Sequence, residues 1–171
     1  MKNNILENLL ENLSETLDRM VLLYNEIFLT AQKKQEYIIS GDIDKLESTI
    51  YQERNQAETI LLLEEKRRYL LRSINQTIGS NNNSIKLSVL IEQLREPYKS
   101  KFKEQFDTIV EIVIKVEGIN KTNTTLTKHS LEYINNLIKY ICTESLNDNT
   151  YQQTGKLKEP ELNRILFEIN A

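Results

Sequence analysis

His129 is the only histidine and Cys142 the only cysteine in this 171-residue chain. A single thiol excludes an internal disulfide and a thiolate zinc site, and it fits a reducing compartment. A metal site or a triad built on His129 needs acids or a nucleophile that converge on it. At helical spacing it has only Thr125, Ser130 and Glu132. Ser130 follows it directly, and neighbours in a helix point about 100° apart, so the two cannot act as base and nucleophile. His129 therefore reads as a surface or seam-edge residue. The acid pairs Glu64-Glu65 and Glu7/Glu11 lack the Glu-x-x-His companions of carboxylate-bridged metal bundles. The glycines Gly41, Gly79, Gly118 and Gly155 are scattered, so no phosphate-cradling loop exists. The expectation is no enzyme, no metal and no cofactor.

What remains is surface. Leu6, Leu10, Leu13, Leu17, Met20, Tyr24, Ile27 and Ala31 alternate spacings of four and three without a break. That is the a/d seam of a heptad, which asks for a partner helix. Four glycines and two prolines are too few for a turn-rich β fold and suit long helices. A net charge of −3 gives no bias toward nucleic acid, and the densest basic cluster, Lys66-Arg67-Arg68, reads as a solvated helix face. The apolar runs from Val21 to Leu29 and from Ile109 to Val116 are each interrupted by an acid. Neither approaches the roughly 20 apolar residues that span a bilayer. The start, Met1-Lys2-Asn3-Asn4, leads into an amphipathic helix rather than a signal-peptide core. A cytoplasmic protein without a membrane span is expected.

The first helix is predicted over about Ile5 to Ser40, with Asn4 as N-cap and Glu7 as the capping-box acid. Gly41 suits the left-handed residue that ends it, and Asp42 the cap of the next. So short a turn forces an antiparallel hairpin. The second helix spans about Ile43 to Ile78. Its inward residues are expected to be Leu46, Ile50, Ala57, Ile60 or Leu61, then Leu70, Leu71, Ile74 and Ile78, with Glu53, Glu64 and Arg67 on or near the seam. After Gly79-Ser80-Asn81-Asn82-Asn83, Ser84 or Asn83 caps a short helix carrying Leu87, Leu90, Ile91 and Leu94. Pro97 stops it and starts a long helix to about Leu146. Its seam is Tyr98, Phe102, Gln105, Ile109, Ile112, Val116, Ile119, Asn123 and Leu126, drifting to Leu131, Ile134, Ile138 and Ile141. At roughly 74 Å this helix is longer than its partners at roughly 54 Å. Either it bends, most readily at Thr122, Thr124 and Thr125, or its far end engages something else.

From Asn147 the composition turns loop-like, and Glu159-Pro160-Glu161 opens a short amphipathic segment with Leu162, Ile165, Leu166 and Ile169. A helix of about ten residues is unstable alone in water and folds when it docks. The division is residues 1–146 as bundle and 147–171 as flexible tail. Candidate partner-binding residues are Leu162, Ile165, Leu166 and Ile169 in the tail, with Asn120 and Asn123 in the last long helix. A seam asparagine can also fix register or oligomer state.

Four elements then fall in a familiar order. Lys33-Lys34 precedes Gly41-Asp42-Ile43-Asp44-Lys45-Leu46 and Glu53; Leu63-Glu64-Glu65-Lys66-Arg67 follows. Asn120-Lys121-Thr122-Asn123 leads to Ser130-Leu131-Glu132-Tyr133-Ile134, and Tyr151-Gln152-Gln153-Thr154-Gly155 comes last. In order and spacing the chain resembles the FlgN family of flagellar type III export chaperones over about residues 5 to 155. It departs where Thr124, Thr125 and Thr127 surround Leu126, a stretch the family fills with more leucine. The resemblance implies a cytoplasmic chaperone that binds hook-associated (hook–filament junction) proteins, keeps them unassembled and delivers them to the export gate, as monomer or homodimer. The alternative is a structural coiled-coil protein that self-associates and holds no client.

The fold class is thus all-α: an elongated antiparallel helical bundle of three long helices plus short ones. Far-UV circular dichroism is expected to show mostly helix. Small-angle scattering is expected to give a radius of gyration well above the roughly 15–16 Å of a compact chain this size. Substantial β-structure or a compact particle contradicts the reading.

Overall fold

The structure, a computed structural model, describes residues 2–79 and 86–147, with side chains over 4–79 and 86–142. All regular structure among the described residues is α-helical: α1 (Lys2–Ser40), α2 (Ile43–Ile78), α3 (Leu87–Gln93) and α4 (Tyr98–Asn147). Asn4 is not the cap expected of it. It lies inside α1, which starts two residues earlier, where the free N–H groups of the first turn can be met by water. Asn83 and Ser84, the expected caps of α3, lie outside the described residues. The described cap is Lys86, in extended conformation and without a side-chain hydrogen bond.

The α1–α2 turn forms as its residues require. Gly41 adopts φ 69°, and the Asp42 N–H reaches back to the Tyr37 carbonyl at 3.1 Å, the six-to-one bond of a glycine-ended helix. Asp42 then caps α2, its carboxylate accepting from the Lys45 N–H at 3.2 Å and from the Lys45 ammonium at 2.6 Å. These two hydrogen bonds hold the Asp42 carboxyl below its ordinary range. At the other break, the Pro97 carbonyl accepts from Lys101 N–H and the Glu96 carboxylate from Ser100 N–H, satisfying donors at the start of α4.

The chain divides at Leu126/Thr127 into two units. In residues 1–126 the stripe of α1 is the centre of the core. Leu10, Leu13, Leu17 and Met20 pack with Leu70, Leu71 and Ile74 of α2, with Leu87, Leu90 and Ile91 of α3, and with Phe102 of α4. Polar pairs set the register on both sides of α1. Toward α2, Lys34 pairs with Glu53 at 2.6 Å and Gln56 Nε2–H donates to the Thr30 hydroxyl at 3.1 Å, so the two helices run antiparallel. Toward α4, Gln105 Nε2–H groups face the Ser14 hydroxyl and Asp18 carboxylate at 3.0 and 2.6 Å, and Asn123 donates to the Ala31 carbonyl at 2.8 Å. Both numbers rise together in these last pairs, so α1 and α4 run parallel.

The inward face of α2 differs from the apolar reading of its sequence. Of the Ile60/Leu61 alternatives it is Ile60 that packs on the core, while Ile50 and Ile78 are exposed at 54% and 44%, and Ala57 is exposed too. Thr49 and Gln56 are buried in their place. Counting toward the N-terminus from Ile74 and Leu70 by threes and fours gives Arg67, Leu63, Ile60, Gln56, Glu53 and Thr49. The packing follows this fixed period and ignores hydropathy, because α1 offers Thr30 and Lys34 at the matching level. Further along, Glu64 holds Arg67 at 2.7 Å beside Tyr24. Burial pushes the Tyr24 phenol above its ordinary pKa, Glu64 adds to the shift, and Arg67 opposes it.

Leu17 is fully buried. Leu17→Ala is expected to cost about 2–5 kcal/mol through lost transfer energy and a residual cavity, read by urea denaturation. A midpoint equal to wild type contradicts this register of the α1 stripe.

Asp42 gives a pH-dependent prediction. Its lowered native pKa means that its charge contributes stability above the ordinary aspartate value. That contribution is lost as pH falls through the native value. Asp42→Asn keeps a capping side chain without the charge. Wild type is expected to melt higher at neutral pH, with the gap closing in acid; a gap that is constant with pH contradicts the assignment.

Candidate partner-binding surface

In the unit from Thr127 onward, the described residues continue α4. Thr122, Thr124 and Thr125, weak helix formers by type, do not break it. Their hydroxyls bond back to the carbonyls of Gly118, Asn120 and Lys121 one turn earlier. Such back-bonding satisfies the hydroxyls within the helix, at a small cost in helix stability.

Up to Leu126 every seam residue of α4 is buried or half-buried; from Thr127 to Ile141 every residue is exposed. The apolar spacing nevertheless continues. Leu131, Ile134 and Ile138 are 55%, 49% and 39% exposed, with Leu137 beside them at 42%. They lie on one helix face at spacings of three and four. Charges are sparse in this stretch: Lys128, Glu132 and Lys139, with His129 lying 3.7 Å from Glu132 as an exposed i, i+3 neighbour. An exposed leucine is ordinary, but a periodic run of them on a weakly charged face marks an interaction surface.

Of the six residues nominated from sequence, Asn120 and Asn123 fall within the described residues. Leu162, Ile165, Leu166 and Ile169 lie outside the described residues. Asn123 is 2% exposed and occupied with the Ala31 carbonyl, which makes it a register pin. Asn120, one turn earlier, is half-buried, and among the described residues its amide oxygen accepts no hydrogen bond. The stripe itself is visible in the sequence, where it reads as the drifting continuation of the seam. That burial stops at Leu126 is not.

Among the described residues no three His, Cys, Asp or Glu side chains gather to hold a metal ion. No described helix is long and apolar enough to cross a membrane. Cys142 carries a free, half-buried thiol. Heptad-packed helices in residues 1–126 are thus followed in the chain by an exposed apolar helix face over Leu131–Ile138.

The family model described as FlgN protein matches residues 1–159, and the chain belongs to the FlgN family of flagellar export chaperones, a family of chaperones and not of enzymes. A Bacillus subtilis (strain 168) protein described as "Uncharacterized protein YvyG" is 21% identical over 159 residues, covering 92% of this chain and 96% of that protein. No solved structure matches the chain significantly.

Because Ile134 and Ile138 are exposed, the double substitution Ile134→Ser/Ile138→Ser is expected to change unfolding free energy by no more than about 0.5 kcal/mol per site. A loss of several kcal/mol contradicts this and means that the stripe is covered in the folded chain.

Proposed function

We propose that the chain is a cytoplasmic chaperone for hook-associated proteins, holding them unassembled and delivering them to the flagellar export gate. The observation that carries the reading is the bare stripe Leu131, Ile134, Leu137 and Ile138, set in a chain of the FlgN family. Subunits that assemble through terminal helices must expose apolar helix faces before assembly. A preformed helix with an open stripe is a substitute partner for such a segment. In this reading the bundle of residues 1–126 has α2 antiparallel and α4 parallel to α1.

The energetics fit a reversible complex. Burying four Leu/Ile side chains is worth about 6–12 kcal/mol of gross transfer energy. Ordering the client segment and losing its translational freedom offset much of that. The surplus from these four side chains alone gives weak, readily reversible binding, and micromolar or tighter affinity, about 8 kcal/mol or more, requires further contacts with the client.

The tail enters the same proposal. Leu162, Ile165, Leu166 and Ile169 either contact the client or cover the client site until it arrives. Titration calorimetry with a hook-associated protein's terminal helix tests the whole reading. Ile134→Ser/Ile138→Ser is expected to weaken binding at least tenfold. Deleting residues 156–171 is expected to weaken it if the tail contacts the client, and to tighten it if the tail covers the site. Unaltered affinity in the Ser variant contradicts the stripe, and unaltered affinity in the truncation removes the tail from client binding. Concentration-dependent self-association with no client binding favours the structural coiled-coil alternative.

A further inference from the structure

A second surface lies within residues 1–126, apart from the α4 stripe. A groove of about 700 Å³ opens between the three long helices where α3 begins. Its floor is apolar: Leu17 and Met20 of α1, Leu71 of α2, Leu87 of α3, and Phe106 and Ile109 of α4. Its rim is basic, formed by Arg67, Arg68, Arg72 and Lys86. The one acid, Glu64, is held by Arg67 at 2.7 Å. Among the described residues Arg68, Arg72 and Lys86 have no carboxylate partner, and all three are exposed.

The neighbouring core shows what shape such a groove takes. Over Leu87–Gln93, α3 lies against α1, α2 and α4 and buries Leu87, Leu90 and Ile91, an i, i+3, i+4 face. The groove opens at the first residues of α3, beside Lys86 and Ser88. In the groove the apolar surface still open is that of the half-buried Phe106 and Ile109, one helix turn apart on α4, against which an apolar helix face can pack. The rim calls for carboxylates on the flanks of that face, and each guanidinium can take one in two parallel hydrogen bonds. A nucleic-acid backbone would meet the cations and make no use of the half-buried Phe106 and Ile109 in the groove.

We infer that this groove is a docking site for an acidic amphipathic helix of a partner protein, bound by its apolar face with glutamates or aspartates against Arg68, Arg72 and Lys86. Its lining lies wholly within residues 1–126, so it shares no residue with the α4 stripe.

The test uses the full-length chain and two fluorescein-labelled 18-residue peptides. Both carry leucines at i, i+3, i+4 and i+7; one has glutamates on the flanks and the other lysines. Fluorescence anisotropy at low salt is expected to show micromolar binding of the glutamate peptide, at least tenfold tighter than the lysine peptide. Arg68→Glu/Arg72→Glu alters exposed side chains and is expected to reverse that preference. Ile134→Ser/Ile138→Ser is expected to leave it unchanged, which separates this site from the client stripe. Equal binding of both peptides, no binding, or an unaltered preference in the Arg68→Glu/Arg72→Glu variant overturns the inference. Tenfold tighter binding of the glutamate peptide after deletion of residues 156–171 overturns it in favour of the chain's own tail. A dimer by light scattering that dissociates in the charge-reversed variant overturns it in favour of a second copy.

Discussion

The structure of residues 1–126 depends on one helix facing two neighbours at once. The α1 stripe supplies the apolar surface for both, yet an apolar stripe alone is indifferent to sliding by a turn. The polar residues set among the leucines remove that freedom. A shift along α2 separates Lys34 from Glu53 and Gln56 from Thr30, and a shift along α4 separates Gln105 from Ser14 and Asp18 and Asn123 from Ala31. Each buried polar group left without a partner costs about 1–3 kcal/mol. Leucines supply most of the favourable burial, and the polar pairs select a single register.

That division of labour bears on function. A protein that binds apolar helices must keep its own apolar helices from pairing wrongly. Fixed register in the core does this for α1, α2 and the first half of α4. The α4 helix then runs unbroken to Asn147, so the stripe from Leu131 to Ile138 is presented on a helix that is already formed. A client segment that folds against a preformed surface bears the ordering cost on its own side only. Low charge along the same face keeps the surface receptive, since burying an unpaired lysine or glutamate there would oppose docking.

The helices were legible in the sequence because their signals are local: seam spacing, the Gly41-Asp42 turn, and Pro97 ahead of Tyr98. The α1 and α4 seams were legible for the same reason, down to Gln105 and Asn123 as polar members. The α2 face was legible only in part: Ile60, Leu70, Leu71 and Ile74 pack inward as read, but Thr49 and Gln56 are buried while Ile50 and Ala57 point outward. Hydropathy misleads wherever a polar residue is paired across the interface, and the partners Thr30 and Lys34 are known only once the helices are placed. The end of burial at Leu126 has no local signal either, since the apolar spacing runs on past it. The basic-rimmed groove is equally non-local: its cations come from Arg67, Arg68, Arg72 and Lys86 on either side of a break, and its floor from all four helices.

The central claim is that the α4 face beyond Leu126 receives a client helix. Hydrogen-exchange mass spectrometry of the full-length chain, with and without a hook-associated protein's terminal helix, tests it most directly. The account predicts that added protection concentrates in residues 127–141, every one of which is exposed in the free protein. Protection gained only within residues 1–126, with exchange in 127–141 unaltered at saturating client, would contradict it.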